Sequence, residues 1–344
     1  MTRSDPGRNV TVQAMKLLFL LVICYGHIHQ GGADGGSTPG PTADPLMQLW
    51  WVPGDVGLFF FAATSAYFTS VRYADPQRMG GYWSRKVPRV FGLFLFLNLV
   101  LGAFFIVTGR PGVFTWHTLV NLAGLNGFLN WFGIRNESPF GAGQWFFTLL
   151  LLFYAAYPLM SRRVTTPRTG HLLLAGSIAV AAVMQYVSPY GYSLWSTAVG
   201  FVAGFWHARF VGKGMRGGLA VLAAACVFAA AYRALGHAPV AAYAIIGMLG
   251  YALAALSLHA TRPPQLGWLV LAVGDILLPL YIIHSYFRLP FTALPYLDSL
   301  LVLLMNVALA KLFMTVYARL VAACHRVLAN AVNAAVHRAA GTGG

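Results

Sequence analysis

Hydrophobic stretches recur along most of the chain, and short polar segments separate them. Each stretch is about 20 residues long, which is the length that an α-helix needs to cross the hydrocarbon core of a bilayer. We predict ten such helices, at residues 12–31, 54–73, 88–108, 144–161, 171–188, 193–210, 217–235, 240–259, 267–288 and 299–320. The pattern therefore predicts an all-α integral membrane protein that crosses the bilayer many times.

The composition agrees with this fold class. Of the 344 residues, 58% are hydrophobic and 9% are charged, and the mean hydropathy is +0.66. Soluble domains have about 25% charged residues. A net charge of +15 could indicate a nucleic-acid-binding protein, but the basic residues lie between the predicted helices, where topology signals occur. We therefore expect no nucleic-acid partner.

The positions of the basic residues predict the orientation of the chain. If the N-terminus is placed in the cytoplasm, 17 of the 23 lysines and arginines fall in cytoplasmic segments and four in outer segments. Lys16 and Lys311 lie within predicted helices. Positive charge concentrates on the cytoplasmic side of membrane proteins, so we expect both termini to be cytoplasmic.

The spacing of the helices predicts the domain organisation. We expect one polytopic domain at residues 1–320, a basic cytoplasmic tail at residues 321–344, and no soluble C-terminal domain. The first stretch lacks a clear cleavage site, so we interpret it as an anchor rather than a signal peptide. The outer loop at residues 109–143 is rich in aromatic residues, which predicts a segment that lies at the outer interface or folds back over the bundle.

Two polar residues stand out in the first helix. Lys16 and His27 are eleven residues apart, so a helix places them on one face, about 20° and about 16 Å from each other. Polar residues within a membrane segment are candidates for function. The alternatives are that Lys16 extends towards the interface and that His27 bonds to a neighbouring carbonyl. His29 lies about 200° round the helix from His27 and is the weaker candidate.

Basic residues also gather at the start of the third helix. Arg85, Lys86 and Arg89 lie there, and Arg78 is nearby. They can serve as topology signals. They can also bind a phosphorylated cytoplasmic ligand, because a guanidinium group donates two parallel hydrogen bonds to a phosphate.

The ninth helix carries a second group of polar residues. Asp275 lies near its middle, His284 lies towards its outer end, and Arg288 follows on the same face as His284. In a straight helix Asp275 and His284 would face opposite ways, but Pro279 lies between them and predicts a kink. Whether Asp275 orients a histidine stays open at this point.

Metal ligation is not indicated. Cys24, Cys226 and Cys324 form no metal-binding spacing, and we interpret them as packing thiols. Glu137 is the only glutamate, and it is a candidate for either catalysis or loop solvation.

These residues give the chain a family resemblance. It resembles the membrane-bound acyltransferase 3 family, whose first helix typically carries a basic residue followed eleven positions later by histidine. The other similar segments are LFFFAATSAYF, with Ala66 where glycine is usual, RKVPRV, the helix with Trp145, Phe146, Tyr154 and Pro158, and the Tyr281-x-x-His284 element. Family members often have an acidic residue just before the Phe pair, whereas Gly57 stands here and Asp55 lies two positions away.

The resemblance implies an O-acyltransferase of the bacterial inner membrane. It implies an acyl-CoA donor, expected to be acetyl-CoA, on the cytoplasmic side, and a hydroxyl acceptor on a surface or secreted glycan, a glycolipid or a related molecule. His27 would be the general base, since a neutral imidazole can take the hydroxyl proton. His284 and Arg288 would stabilise the oxyanion. Lys16, Arg85, Lys86 and Arg89 would bind the CoA phosphates, and no metal is expected.

Two other functions fit a polytopic chain. A secondary transporter or exporter of a glycan or lipid intermediate could use Lys16, Asp275 and Lys311 in a proton or substrate path. No internal repeat is found, which argues against the inverted repeats of many transporters. A non-catalytic subunit of a polysaccharide assembly complex is the second alternative. The acyl group, the acceptor and any homo-oligomer stay open.

Overall fold

The computed structural model describes residues 9–29, 45–74, 79–141, 143–187, 192–211, 239–260, 274–287, 289, 291–292 and 294–341. Every regular element in these ranges is helical. The elements are α1 (Val10–His29), α2 (Pro45–Arg72), α3 (Tyr82–Val107), α4 (Trp116–Leu122), α5 (Asn126–Trp131), α6 (Trp145–Arg163), α7 (Pro167–Val187), α8 (Tyr192–Trp206) with a π-helical turn (His207–Val211), α9 (Pro239–His259), α10 (Leu277–Ile283) and α11 (Pro295–Gly341). The prediction of an all-α protein is confirmed for the described residues.

Several of these helices can cross a bilayer. Among the described residues, five are long and apolar enough by length and composition, at Val10–Ile28, Tyr82–Val107, Trp145–Arg163, Pro167–Met184 and Tyr296–Ala331. The helix predicted at 217–235 lies outside the described residues, as does the first part of the one predicted at 267–288. The fold is therefore that of a membrane protein.

Two helices begin earlier than predicted because each continues through a proline. Pro53 lies inside α2 and Pro88 inside α3. A proline removes the hydrogen bond to the carbonyl four residues before it. For Pro88 that carbonyl belongs to Ser84, which is exposed, so solvent can satisfy it near the start of the helix.

The C-terminal part of the chain forms one helix where two were predicted. The helix predicted at 299–320 and the short surface helix expected after it are one continuous helix, α11. Cys324 is exposed on this helix, so the interpretation of it as a packing thiol is wrong, whereas Cys24 on α1 is fully buried.

Helix α1 lies between two hydrophobic clusters. On one side Leu20 and Cys24 join side chains of α3, α6, α10 and α11. On the other side Val12 and Phe19 join side chains of α2, α8 and α9. A third face of α1, which includes Lys16 and Ile23, forms part of the wall of a cavity beside the functional site.

Close packing of α2 against α8 depends on two glycines. Gly200 and Gly204 are four residues apart on α8, and an added Cβ would meet Phe59 at the first and the backbone of Ala63 at the second. Small residues at this spacing let two membrane helices approach closely. The pair fixes α2, which carries part of the cavity wall.

The outer loop at 109–143 folds back over the bundle. It contains α4 and α5, and α5 packs against α6. Of the two outcomes predicted for this loop, the structure shows the second. The loop ends at Gly143, beside the site.

Candidate active site

His27 and His284 come together although they lie near opposite ends of the chain. His27 is near the end of α1, and His284 directly follows α10. Their ring centroids are 5.3 Å apart, and the ring planes make an angle of 50°. His284 is fully buried, whereas His27 is half-buried. A partly accessible imidazole therefore stands beside a buried one.

A backbone carbonyl fixes the tautomer of His284. Its Nδ1 atom lies 2.7 Å from the carbonyl oxygen of Tyr281. Because a carbonyl can only accept a hydrogen bond, Nδ1 carries the hydrogen, and the neutral ring has its lone pair on Nε2. Neutral His284 thus presents an acceptor at Nε2, and only the imidazolium form can donate from that atom.

An apolar cavity of about 200 Å³ lies between α1, α2, α6 and α10, and its lining stops one turn short of the two histidines. On α1 it is lined by Lys16, Leu20 and Ile23, which share one face of the helix with His27. On α10 it is lined by residues that include Tyr281. Since His27 is one turn beyond Ile23 and His284 one turn beyond Tyr281, both walls end one turn short of the histidine pair.

The other walls come from α2 and α6. They include Phe61 and Ser65 from α2 and Phe146, Leu150 and Tyr154 from α6. Most of these side chains are apolar, and Ser65 and Tyr154 contact each other through hydroxyl groups 3.3 Å apart. The cavity therefore combines an apolar interior with a small polar group at its edge.

Two lysines lie at this polar end. Lys16 lines the cavity, with its Nζ 5.9 Å from the ring centroid of Phe68. Lys86 donates a hydrogen bond of 3.3 Å to Thr69, and its Nζ lies 4.1 Å from the ring centroid of Tyr154. The two ammonium groups interact electrostatically. This end of the cavity is therefore cationic, as binding of an anionic group requires.

Among the other predicted site residues that the structure describes, Arg85 does not line the cavity. Arg85 is exposed, and its guanidinium lies near Gly81. The side chain of Arg89, the side chain of His29 and the whole of Arg288 lie outside the described part of the chain. Asp275 is exposed, and within the described residues it forms no ion pair with a histidine.

Glu137 lies in the outer loop beside another histidine. Its carboxylate is 3.7 Å from Nδ1 of His117, which is buried, while the Glu137 side chain is 66% exposed. No group of three or more His, Cys, Asp or Glu side chains in the described ranges is arranged to hold a metal ion. The Glu137 carboxylate therefore lies largely in contact with solvent, beside His117 and outside the cavity lining.

Gly57 explains why the family's usual acidic residue does not stand here. A Cβ at this position would lie 2.9 Å from Cβ of Phe19, so α1 and α2 leave no room for a side chain. Asp55, two positions earlier, is half-buried and does not line the cavity. The close contact of α1 with α2 therefore occupies the space that an acidic side chain at position 57 would need.

Two features of the site were not assigned a role from sequence. The hydroxyl oxygen of Tyr281 accepts a hydrogen bond of 3.0 Å from the backbone N–H of Phe146, at the start of α6. Gly143 lies against the imidazole of His284. The Tyr-x-x-His element pointed to Tyr281 but not to its partner, because that partner lies on another helix.

Comparison with known proteins identifies the family of the chain. The model of the acyltransferase 3 family, described as an acyltransferase domain, matches residues 9–322, which is nearly the whole chain. Searches of curated proteins and of solved structures found no match. The matched segment includes α1, the cavity and the histidine pair. The chain therefore belongs to the acyltransferase 3 family and is a membrane acyltransferase.

Proposed function

We propose that the protein is an O-acyltransferase that moves an acyl group, in the simplest case acetyl, from acyl-CoA to a hydroxyl group of a glycan or related acceptor. The observation that carries this proposal is the placement of His27 and His284 one turn beyond an apolar cavity whose other end holds Lys16. A cavity with one cationic end and one imidazole end suits a donor that has phosphates at one end and a reactive thioester at the other.

The donor enters from the cytoplasm in this proposal. The bias of basic residues supports a chain with ten transmembrane helices and both termini inside, in the inner membrane of a bacterium. In that orientation Lys16 is at the cytoplasmic side of α1 and His27 is at the outer side. The thioester then passes along the cavity towards the acceptor.

Different parts of the cavity bind different parts of the donor. Lys16 and Lys86 attract the phosphates of CoA, with Arg85 and Arg89 placed by sequence at the mouth on the same side. The pantetheine arm lies along Leu20, Ile23 and the aromatic wall. The apolar interior excludes water from the thioester and so protects it from hydrolysis.

The acyl transfer step uses His27 as the general base. The hydroxyl of the acceptor gives its proton to His27, and its oxygen forms a bond to the carbonyl carbon of the thioester. The tetrahedral intermediate then breaks its carbon–sulfur bond, and the departing CoA thiolate takes the proton from His27. His27 suits this role because it is the accessible member of the pair.

The negative charge on the intermediate needs donors. The hydroxyl of Tyr281 accepts the Phe146 N–H, which leaves its own hydrogen for an acceptor in the cavity that it lines. His284 can donate from Nε2 when it is protonated. Arg288, four residues further along, is a third candidate from the sequence.

The proposal is tested by transfer of a labelled acyl group. Purified protein in proteoliposomes is supplied with radiolabelled acetyl-CoA and a panel of glycans, and ester formation is compared between wild type and His27→Ala. We expect the variant to lose transfer by a factor of about 10² to 10⁴, the usual contribution of a general base. Full transfer by a correctly inserted His27→Ala protein would rule out this role.

A further inference from the structure

The segment that enters α6 is bound to α10 before His284 and to the turn after His284. The backbone N–H of Gly141 donates a hydrogen bond of 2.8 Å to the hydroxyl oxygen of Tyr286. The N–H of Phe146 donates to Tyr281, and the side-chain amide of the buried Gln144 lies 3.4 Å from the carbonyl oxygen of Ile282. We call Gly141, Gly143 and Gln144 the strap. It crosses the bundle at the level of His284.

The strap lies beside the edge of the His284 imidazole that carries Cε1 and Nε2. A Cβ added to Gly143 would lie 3.2 Å from Nε2 and 3.0 Å from Cε1 of His284, and 2.9 Å from the hydroxyl oxygen of Ser285. An added methyl group would therefore press on the imidazole, which would have to give by a few tenths of an ångström, and on the Ser285 hydroxyl, which would have to turn away. Gly143 also has a φ of +70°, a backbone conformation that favours glycine.

Two of the groups around the ring set its position. The carbonyl of Tyr281 accepts the hydrogen of Nδ1, and Gly143, which has no side chain, lies beside Cε1 and Nε2. The hydroxyl of Tyr286 sets the position of the strap, since it binds Gly141 two residues before Gly143.

We propose that Gly143 and Tyr286 are positioning residues, which hold His284 in the Nδ1–H tautomer and at its orientation towards His27. This inference rests on the proposed function for its effect on catalysis, but the position of the ring can be measured without turnover. A misplacement of about 1 Å in a catalytic group costs about a hundredfold in rate.

The chain offers a matched control for Gly143. Gly133 has nearly the same φ, +66°, and an added Cβ there meets no atom within 4 Å. Gly133→Ala and Gly143→Ala therefore carry similar backbone strain, and only the second moves the imidazole. Tyr286→Phe is the second variant, because it keeps the aromatic ring and removes only the hydroxyl.

The kinetic experiment measures the turnover number and the donor KM separately. We expect Gly143→Ala and Tyr286→Phe each to lower kcat about tenfold, with the donor KM within about twofold of wild type, since both displace the ring by less than about 1 Å. Gly133→Ala should keep the wild-type kcat. Equal losses in Gly143→Ala and Gly133→Ala, or a change in KM alone, would overturn the proposal.

The second measurement does not need activity. Protein labelled with ¹⁵N-histidine is studied by NMR, and the signals of His284 are assigned by their loss in His284→Asn. We expect a single Nδ1–H tautomer in wild type and Gly133→Ala, and a mixture of tautomers in Gly143→Ala and Tyr286→Phe. Identical His284 signals in all four proteins would overturn the positioning role. An inactive wild type with the expected tautomers would instead reject the proposed function alone.

Discussion

The imidazole rings of His27 and His284 face each other across α1 and α10, with 5.3 Å between their centroids. This contact joins the first and the tenth described helices into one site. It also places the accessible ring, His27, next to a ring whose tautomer is fixed by the Tyr281 carbonyl.

Replacing His27 should remove most of the chemistry without affecting donor binding. We expect His27→Gln to lower kcat by a factor of about 10² to 10⁴ and to leave the donor KM nearly unchanged, since the base acts on the acceptor proton. His29→Gln is the matched control, two residues away. The measurement is kcat and the donor KM by steady-state kinetics. Comparable losses of kcat in the two variants would mean that both substitutions disturb the structure of α1, and would contradict a specific role for His27.

Replacing Lys16 should weaken donor binding. Lys16→Met keeps a long, largely apolar side chain but removes the charge at the end of the cavity. Loss of a charge-assisted contact of about 1.5 kcal/mol corresponds to about tenfold in affinity. We expect the donor KM to rise by about that factor, and Lys311→Met on α11 should behave like wild type. A Lys16→Met protein with unchanged KM would contradict the assignment of the donor phosphates to this end.

Tyr281→Phe should lower kcat, because the Tyr281 hydroxyl is proposed to stabilise the oxyanion of the transition state. The variant keeps the ring in the cavity wall and removes the hydroxyl that accepts the Phe146 N–H. Loss of one oxyanion donor costs about 10² to 10³ in kcat in other acyltransfer enzymes. We expect a loss in that range, measured at saturating donor. A loss of less than about threefold would assign the Tyr281 hydroxyl to packing of α6 alone.

Introducing the family's acidic residue at Gly57 should destabilise the protein. Gly57→Asp forces a side chain against Phe19, and overpacking of this kind costs about 1–3 kcal/mol. Gly54→Asp is the control, since its Cβ would lie 3.9 Å from the nearest atom, on Ile23. The midpoint of thermal unfolding in detergent should fall clearly further for Gly57→Asp than for Gly54→Asp. Recovery of that midpoint in Gly57→Asp combined with Phe19→Ala would identify the contact as the cause.

An added methyl group should also destabilise the contact of α2 with α8. Gly204→Ala places a methyl group against the backbone of Ala63, which cannot move as a side chain can. Gly176→Ala on α7 meets nothing within 4 Å. We expect the first variant to lose about 1–3 kcal/mol of stability and the second to lose none. Equal unfolding midpoints would mean that the two helices are not in this close contact.

Much of the site could be predicted from local sequence. The eleven-residue spacing of Lys16 and His27 defined a helix face, and the structure places Lys16 in the cavity and His27 one turn beyond its wall on that face. Helical periodicity depends only on spacing within one helix, so residues that the spacing places on one face also share that face in the structure. The family resemblance, which is confirmed, rested on the same short elements.

Other features depend on contacts between distant segments and could not be predicted. The partner of the Tyr281 hydroxyl is a backbone N–H on α6, and the partner of Gly143 is an imidazole after α10. No local pattern specifies either pair. The starts of α2 and α3 were predicted at 54 and 88, whereas the helices begin at Pro45 and Tyr82 and continue through Pro53 and Pro88.

The central claim is that a thioester reaches the histidine pair through the cavity, and affinity labelling tests it without knowledge of the acceptor. Bromoacetyl-CoA presents a carbon from which a histidine nitrogen displaces bromide, and peptide mass spectrometry locates the new bond. We predict labelling of His27, or of His284 when His27 is replaced, with protection by excess CoA and a weaker reaction in Lys16→Met. Labelling that avoids both histidines, or that bromoacetamide reproduces equally well, would contradict the account.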